Sequence, residues 1–172
     1  LIVLLIAALV FIAGSLWTFS STDSSWFYHA TQLQSYKNIF GFLGSHSAAL
    51  FIYLFGRAAF LSVFVGLYFL LFYLFSSLMK RVQAATEWDR AVGVILWFVS
   101  MTVYCQIYMK PLYDFSYSGG VVGNYILTHV LGSFDTIVQQ IIIWVLLLCS
   151  TLLITRCSYL PAILYVGKVL GY

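Results

Sequence analysis

The chain has 172 residues, 63% hydrophobic and 8% charged, against about 45–50% and about 25% in ordinary soluble domains. A soluble domain of this length could not hide so much apolar surface, so lipid must be the solvent for much of it. The net charge of +3 is small and scattered, and gives no electrostatic footprint for nucleic-acid binding.

The first apolar run covers about residues 1–19. It reads as a membrane span rather than a signal peptide, because no A-x-A cleavage site follows it. Trp17 and Phe19 close it, where aromatic rings favour the lipid–water boundary. The loop 18–38 carries only two formal charges, Asp23 and Lys37. Asp23, set among Ser and Thr, suits an Asx-turn or a cap; Trp26, Phe27 and Tyr28 are expected on the membrane surface. Residues 47–78 are then almost wholly apolar, interrupted only by Gly56-Arg57. One straight helix of that length would overshoot the membrane, and the interruption is too short for a helix hairpin. The chain is therefore expected to bend at Gly56. Residues 41–55 would lie along or just inside the outer interface, and 57–79 would cross back, with Arg57 snorkelling to head groups.

Lys80 to Arg90, KRVQAATEWDR, holds five of the thirteen charged residues and divides the chain into two halves of similar order. A third span is predicted at 91–109, followed by a loop, Lys110 to Gly120, with aromatics, serines and Asp114. Gly120-x-x-Gly123 opens a segment to Gly132 that parallels Gly41-x-x-Gly44 and its segment to Gly56. The fourth span, 137–155, has Ser133 or Asp135 as its cap and stops at Arg156. The predicted fold is an all-α membrane protein with four transmembrane helices as two hairpins, and interfacial helical segments before the second and fourth spans. Lys80, Arg81, Arg90, Arg156 and Lys168 fall on one side and Lys37 and Lys110 on the other, which puts both ends in the cytoplasm. Both ends read as cut from something longer, and 157–172, with Pro161 and Gly167, as the start of a cytoplasmic linker.

Chemistry is sparse. His29, His46 and His129 are isolated in sequence; His46 and His129 each follow a glycine pair, but a zinc site would lack a clear third ligand. Cys105, Cys149 and Cys157 lack metal or disulfide spacing and read as small buried hydrophobes. Neither a phosphate-cradling loop nor a nucleophile elbow is present. Gln139 and Gln140 are expected to hydrogen-bond another helix rather than a substrate. No catalytic, metal or cofactor-binding residue is assigned. A small transporter or channel is the alternative reading, and it needs a polar path that Ser62, Ser100, Thr102 and Gln106 would have to supply.

Four blocks, in order, resemble the FtsK-type DNA translocases. Thr18 to Trp26 (TFSSTDSSW) looks like the family's S-x-x-P-x-D-x-S-W loop, without its proline. Lys37-Asn38-Ile39-Phe40-Gly41-Phe42-Leu43-Gly44 stands in the place of N-x-x-G-x-x-G-A. Leu54 to Phe60 (LFGRAAF) is similar to L-F-G-x-x-A-Y, with Arg57 at an apolar position, and Ser118 to Gly123 (SGGVVG) to S-G-G-x-x-G. Ala48-Ala49 fill a region where the family often has an acid.

The resemblance implies the N-terminal, four-span domain of a chromosome translocase: an anchor in the bacterial inner membrane at the division septum, active in segregation and division but non-catalytic in itself. Implied partners are the lipid bilayer, divisome membrane proteins and further copies of the chain, up to a hexamer. Double-stranded DNA, ATP and magnesium would belong to a motor domain beyond this chain. Asp23, Trp26, Asn38, Gly41, Gly44, Gly56, Gly119, Gly120 and Gly123 are then the interaction or structural candidates that shape the outer face.

Overall fold

The computed structural model describes residues 2–27, 36–79, 87–112 and 117–155. Expectations resting on Tyr28, His29, Lys80, Arg81, Asp114, Arg156 and the 157–172 tail, with Cys157, Pro161, Gly167 and Lys168, lie outside those residues.

Six α-helices appear in order among the described residues: α1 (Ile2–Trp17), α2 (Gly41–Phe55), α3 (Leu61–Met79), α4 (Glu87–Tyr108), α5 (Gly120–Tyr125) and α6 (Thr136–Thr155). The expected bend is present. The Gly56 N–H still donates to Ile52 O, but the residue itself takes φ 57° and ψ −131°, and Gly56–Phe60 forms a 3₁₀ turn before α3 starts. The α-helix after the bend thus begins at Leu61. The second half breaks at the matching place, where α5 runs into a π turn, Ile126–Val130, in which the Leu131 N–H donates to Ile126 O at 3.0 Å.

Each half therefore contains one outgoing helix, one short helix and one returning helix. The stretches Gly41–Leu71, Arg90–Tyr108 and Thr136–Thr155 are long and apolar enough to cross a membrane. α1 is apolar and shorter, 16 residues or about 24 Å at 1.5 Å per residue.

Packing follows membrane rules. Large side chains such as Leu4, Phe64, Ile141, Trp144 and Leu148 point outward, whereas Ser15, Ala48, Ala49, Ala58, Ala59, Ser100, Thr102 and Ser150 are buried. Lipid tails are as apolar as leucine, so helices associate through small residues that let backbones approach rather than by expelling water. Three buried hydroxyls are satisfied within their own helices: Ser100 donates to Leu96 O, Thr102 to Val99 O and Ser150 to Leu147 O, whereas the buried Ser15 Oγ has no partner. One apolar core joins Leu16, Ala48, Ile52 and Ala59 in the first half; a second joins Val103, Leu131 and Ile143. α4 and α6 lie together along their length, with Gly93 admitting Leu153 and Ile154.

One cysteine placement departs from the expectation. Cys105 is buried on α4 as expected, but Cys149 is exposed on α6. The lipid-facing stripe of α6 runs through Ile141, Val145 and Leu148, and at 3.6 residues per turn Cys149 falls beside it. Asp135 occupies the cap position of α6, its carbonyl accepting from Gln139 N–H at 2.9 Å. The Gln139 side-chain amide turns back to donate to Leu131 O and Phe134 O, both at 3.0 Å, which fastens the π turn to the start of the span.

Candidate functional site

The candidate residues lie where α1 finishes and α2 begins, and where α2 and α4 finish and α5 begins. They form two clusters.

The first is built on Asp23, which is buried. Its carboxylate accepts the Lys37 N–H at 3.0 and 3.1 Å and the Asn38 N–H at 2.9 Å. The sequence suggested a local turn or cap; the partners instead lie 14 and 15 residues away, so Asp23 closes the whole first loop. Backbone N–H groups compensate a buried carboxylate well, because hydrogen bonds to an ionised acceptor are about twice as strong as neutral ones. Asn38, also buried, continues the chain of contacts. Its Nδ2 donates to Ser15 O at 2.8 Å, and its Oδ1 accepts from Phe40 N–H at 3.0 Å. That side chain occupies the space where a Cβ on Gly44 would stand. Ser45 Oγ donates to Ser24 O at 3.2 Å, and Thr18 Oγ1 accepts from Ile39 N–H at 3.2 Å. Loop, α1 and α2 are thereby locked together.

The second cluster sits where the halves meet. Gly56 and Gly120, both at positive φ, approach so closely that neither has room for a side chain. A Cβ on Gly56 would overlap the carbonyl of Ser118 and the nitrogen of Gly120; one on Gly120 would overlap Leu54 O and Phe55 N. The Arg57 N–H donates to Ser118 O at 2.9 Å across the same contact. Gly119 and Gly123 rest on the Thr102 carbonyl of α4. Gln106 reaches over to accept the Gly119 N–H at 2.9 Å. The Arg57 side chain donates from Nε to Lys110 O at 2.7 Å.

The weak sequence parallel between the halves becomes a geometric one. Phe40 and Gly119, each preceding a short helix, have φ/ψ of −96°/14° and −97°/9°. The glycines that follow, Gly41 and Gly120, have φ 60° and 68°. Each closes a turn: Gly41 N–H donates to Asn38 O at 2.8 Å and Gly120 N–H to Tyr117 O at 3.0 Å. The same entry turn is therefore built twice.

Of the candidates, Trp26 alone has a largely exposed side chain, 64% accessible. It stands edge-on to His46, ring centroids 5.5 Å apart. His46 is buried, with Nδ1 2.9 Å from Phe42 O; His129 packs against Tyr125. Among the described residues no three His, Cys, Asp or Glu side chains are placed to hold a metal ion.

Over residues 1–167 the chain matches the family model described as the 4TM region of DNA translocase FtsK/SpoIIIE. The chain belongs to this family. It is a multi-pass membrane-anchoring region of an FtsK/SpoIIIE translocase, not the motor. No solved structure matches it. Within the FtsK/SpoIIIE 4TM region the two loop motifs around Asp23 and Asn38 prove to be one hydrogen-bonded unit, and the LFG and SGG motifs prove to be two sides of one contact.

Gln106, Ser15 and Lys110 are the contributors that sequence reasoning did not place in the site. A glutamine inside an apolar span was the available signal, since in lipid it must find a partner. Ser15 and Lys110 act through main-chain carbonyls, which leave no trace in a sequence.

Proposed function

We propose that this region anchors its translocase in the bacterial inner membrane with both ends cytoplasmic, directs it to the division septum, and serves as its contact with divisome membrane proteins and with further copies of itself. On this reading the region is non-catalytic, and ATP, magnesium and double-stranded DNA concern a motor domain elsewhere in the translocase. The family match over 1–167 carries the proposal. The scaffold is consistent with it: the buried polar groups at the loop end are used to hold loops in place, and what they present outward is the exposed aromatic edge of Trp26. The transporter alternative gains no support from the packing. Ser62 donates to Ala59 O in the preceding 3₁₀ turn, Ser100 and Thr102 donate to carbonyls of their own helix, and Gln106 is engaged by the α5 loop.

Expression of residues 1–172 fused to a fluorescent protein in dividing bacteria tests the targeting. Accumulation at midcell is expected, with Trp26→Ala reducing it while membrane insertion persists. An even distribution around the membrane would refute septum targeting.

A further inference from the structure

Arg57 is the charge whose position the anchoring role does not explain. It lies in the 3₁₀ turn between α2 and α3 and is half-buried. With Phe60, Leu61, Met101, Cys105, Met109 and Leu112 it lines a cleft of about 310 Å³, at the lower end of the range of about 300–1,000 Å³ that small-molecule sites occupy. Three of these residues follow one another at four-residue intervals: Met101 and Cys105 on α4 and Met109 just past its end, its N–H still donating to Cys105 O at 3.0 Å, so they form a single apolar stripe. The stripe covers about 12 Å at 1.5 Å per residue. The cleft is thus a narrow apolar track with one fixed cation at its end.

That cation is oriented but not neutralised among the described residues. Arg57 Nε is committed to Lys110 O at 2.7 Å. This holds the planar guanidinium in place and leaves its two terminal nitrogens for other acceptors. A guanidinium at the edge of a hydrocarbon phase is costly unless an anion meets it, and the planar fork suits phosphate oxygens. A ligand matching both halves of the cleft combines an anionic phosphate with a hydrocarbon chain.

We propose that the Arg57 cleft is a specific site for an anionic phospholipid, its headgroup phosphate on the Arg57 guanidinium and one acyl chain along Met101, Cys105 and Met109. The site goes beyond septum targeting and can fail without affecting it. Met101 and Met109 suit such a track because thioether side chains adapt to a flexible chain.

Native mass spectrometry of the full chain, purified in detergent and titrated with phosphatidylglycerol or phosphatidylcholine, tests the proposal. The wild type is expected to retain phosphatidylglycerol by about tenfold over phosphatidylcholine, because both offer a phosphate but the choline cation of the second offsets its attraction to the guanidinium. Arg57→Gln abolishes that preference, and Arg57→Lys keeps a reduced one because charge remains without the fork. Cys105→Trp, which fills the track but spares the cation, lowers retention of both lipids. Inorganic phosphate at millimolar concentration should not displace the lipid, since it cannot occupy the track; displacement would show a bare anion site and overturn the lipid assignment. Circular dichroism confirms that each variant is folded. The proposal is overturned if the wild type shows no headgroup preference, or if Arg57→Gln retains it.

Discussion

Gly56→Ala is the substitution that most directly tests the contact between the halves. Alanine at φ 57° costs about 1–2 kcal/mol, because the Cβ of an L-residue crowds the following carbonyl. The new methyl would also meet three backbone atoms: the Ser118 carbonyl oxygen, the Gly120 nitrogen and, at 2.6 Å, the Tyr117 carbonyl oxygen. No flexible side chain is there to move aside, so the 117–120 turn must shift. That shift breaks the 2.9 Å bond from Arg57 N–H to Ser118 O, and leaving a buried donor unpaired costs about 1–3 kcal/mol. The sum is about 2–5 kcal/mol, a large share of the roughly 5–15 kcal/mol that holds a typical domain folded. Gly41→Ala supplies the control. Its φ is 60°, but a Cβ there meets nothing within 4 Å, so only the backbone strain of about 1–2 kcal/mol applies. Unfolding both variants in mixed micelles with increasing denaturing detergent, followed by circular dichroism, should separate them by about 1–3 kcal/mol, or about 5- to 150-fold in the equilibrium constant. Equal destabilisation of the two variants would mean that the interlock of the halves contributes nothing, and the reasoning would be wrong.

Further outcomes follow from the same geometry. Gly44→Ala should destabilise strongly on its own, because Asn38 Oδ1 fills the space of the new methyl. In an Asn38→Ala background it should cost less by about 0.5–3 kcal/mol, as expected of residues in direct contact; additive costs would show that the two do not compete for one space. Asp23→Ala leaves the Lys37 and Asn38 N–H groups without their acceptor, so limited proteolysis should cut the first loop faster, while Trp26→Ala should leave that rate unchanged. Gln106→Leu removes the acceptor of Gly119 N–H and should lower stability by about 1–3 kcal/mol, with Gln106→Glu losing less because its carboxyl oxygen can still accept.

Much of the fold was legible because lipid leaves few options. A backbone in hydrocarbon must satisfy its own hydrogen bonds, so apolar runs of about 20 residues mean helices. The overlong run after Ser47 could end only in a bend, and Gly56 was the residue able to make it. The twofold Gly-x-x-Gly pattern likewise announced a repeated turn. Other features depended on distance in space rather than in sequence. Asp23 could be assigned a capping role from its neighbours, yet its acceptor function is spent on residues 14 and 15 positions away. Cys149 looked like core because its neighbours are apolar, but in a membrane an apolar neighbourhood does not distinguish the inside from the lipid face.

From the sequence alone came the number and order of the spans, the bend, the paired glycine turns and the family, all consequences of local composition and spacing under the demands of a bilayer. Only the tertiary structure decided that Gly56 and Gly120 are one contact, that Asn38 fills the place of a side chain on Gly44, and that Arg57 faces an apolar track on α4. Those facts depend on which backbones come within a van der Waals distance of each other, and helix packing sets that distance, not the order of residues along the chain.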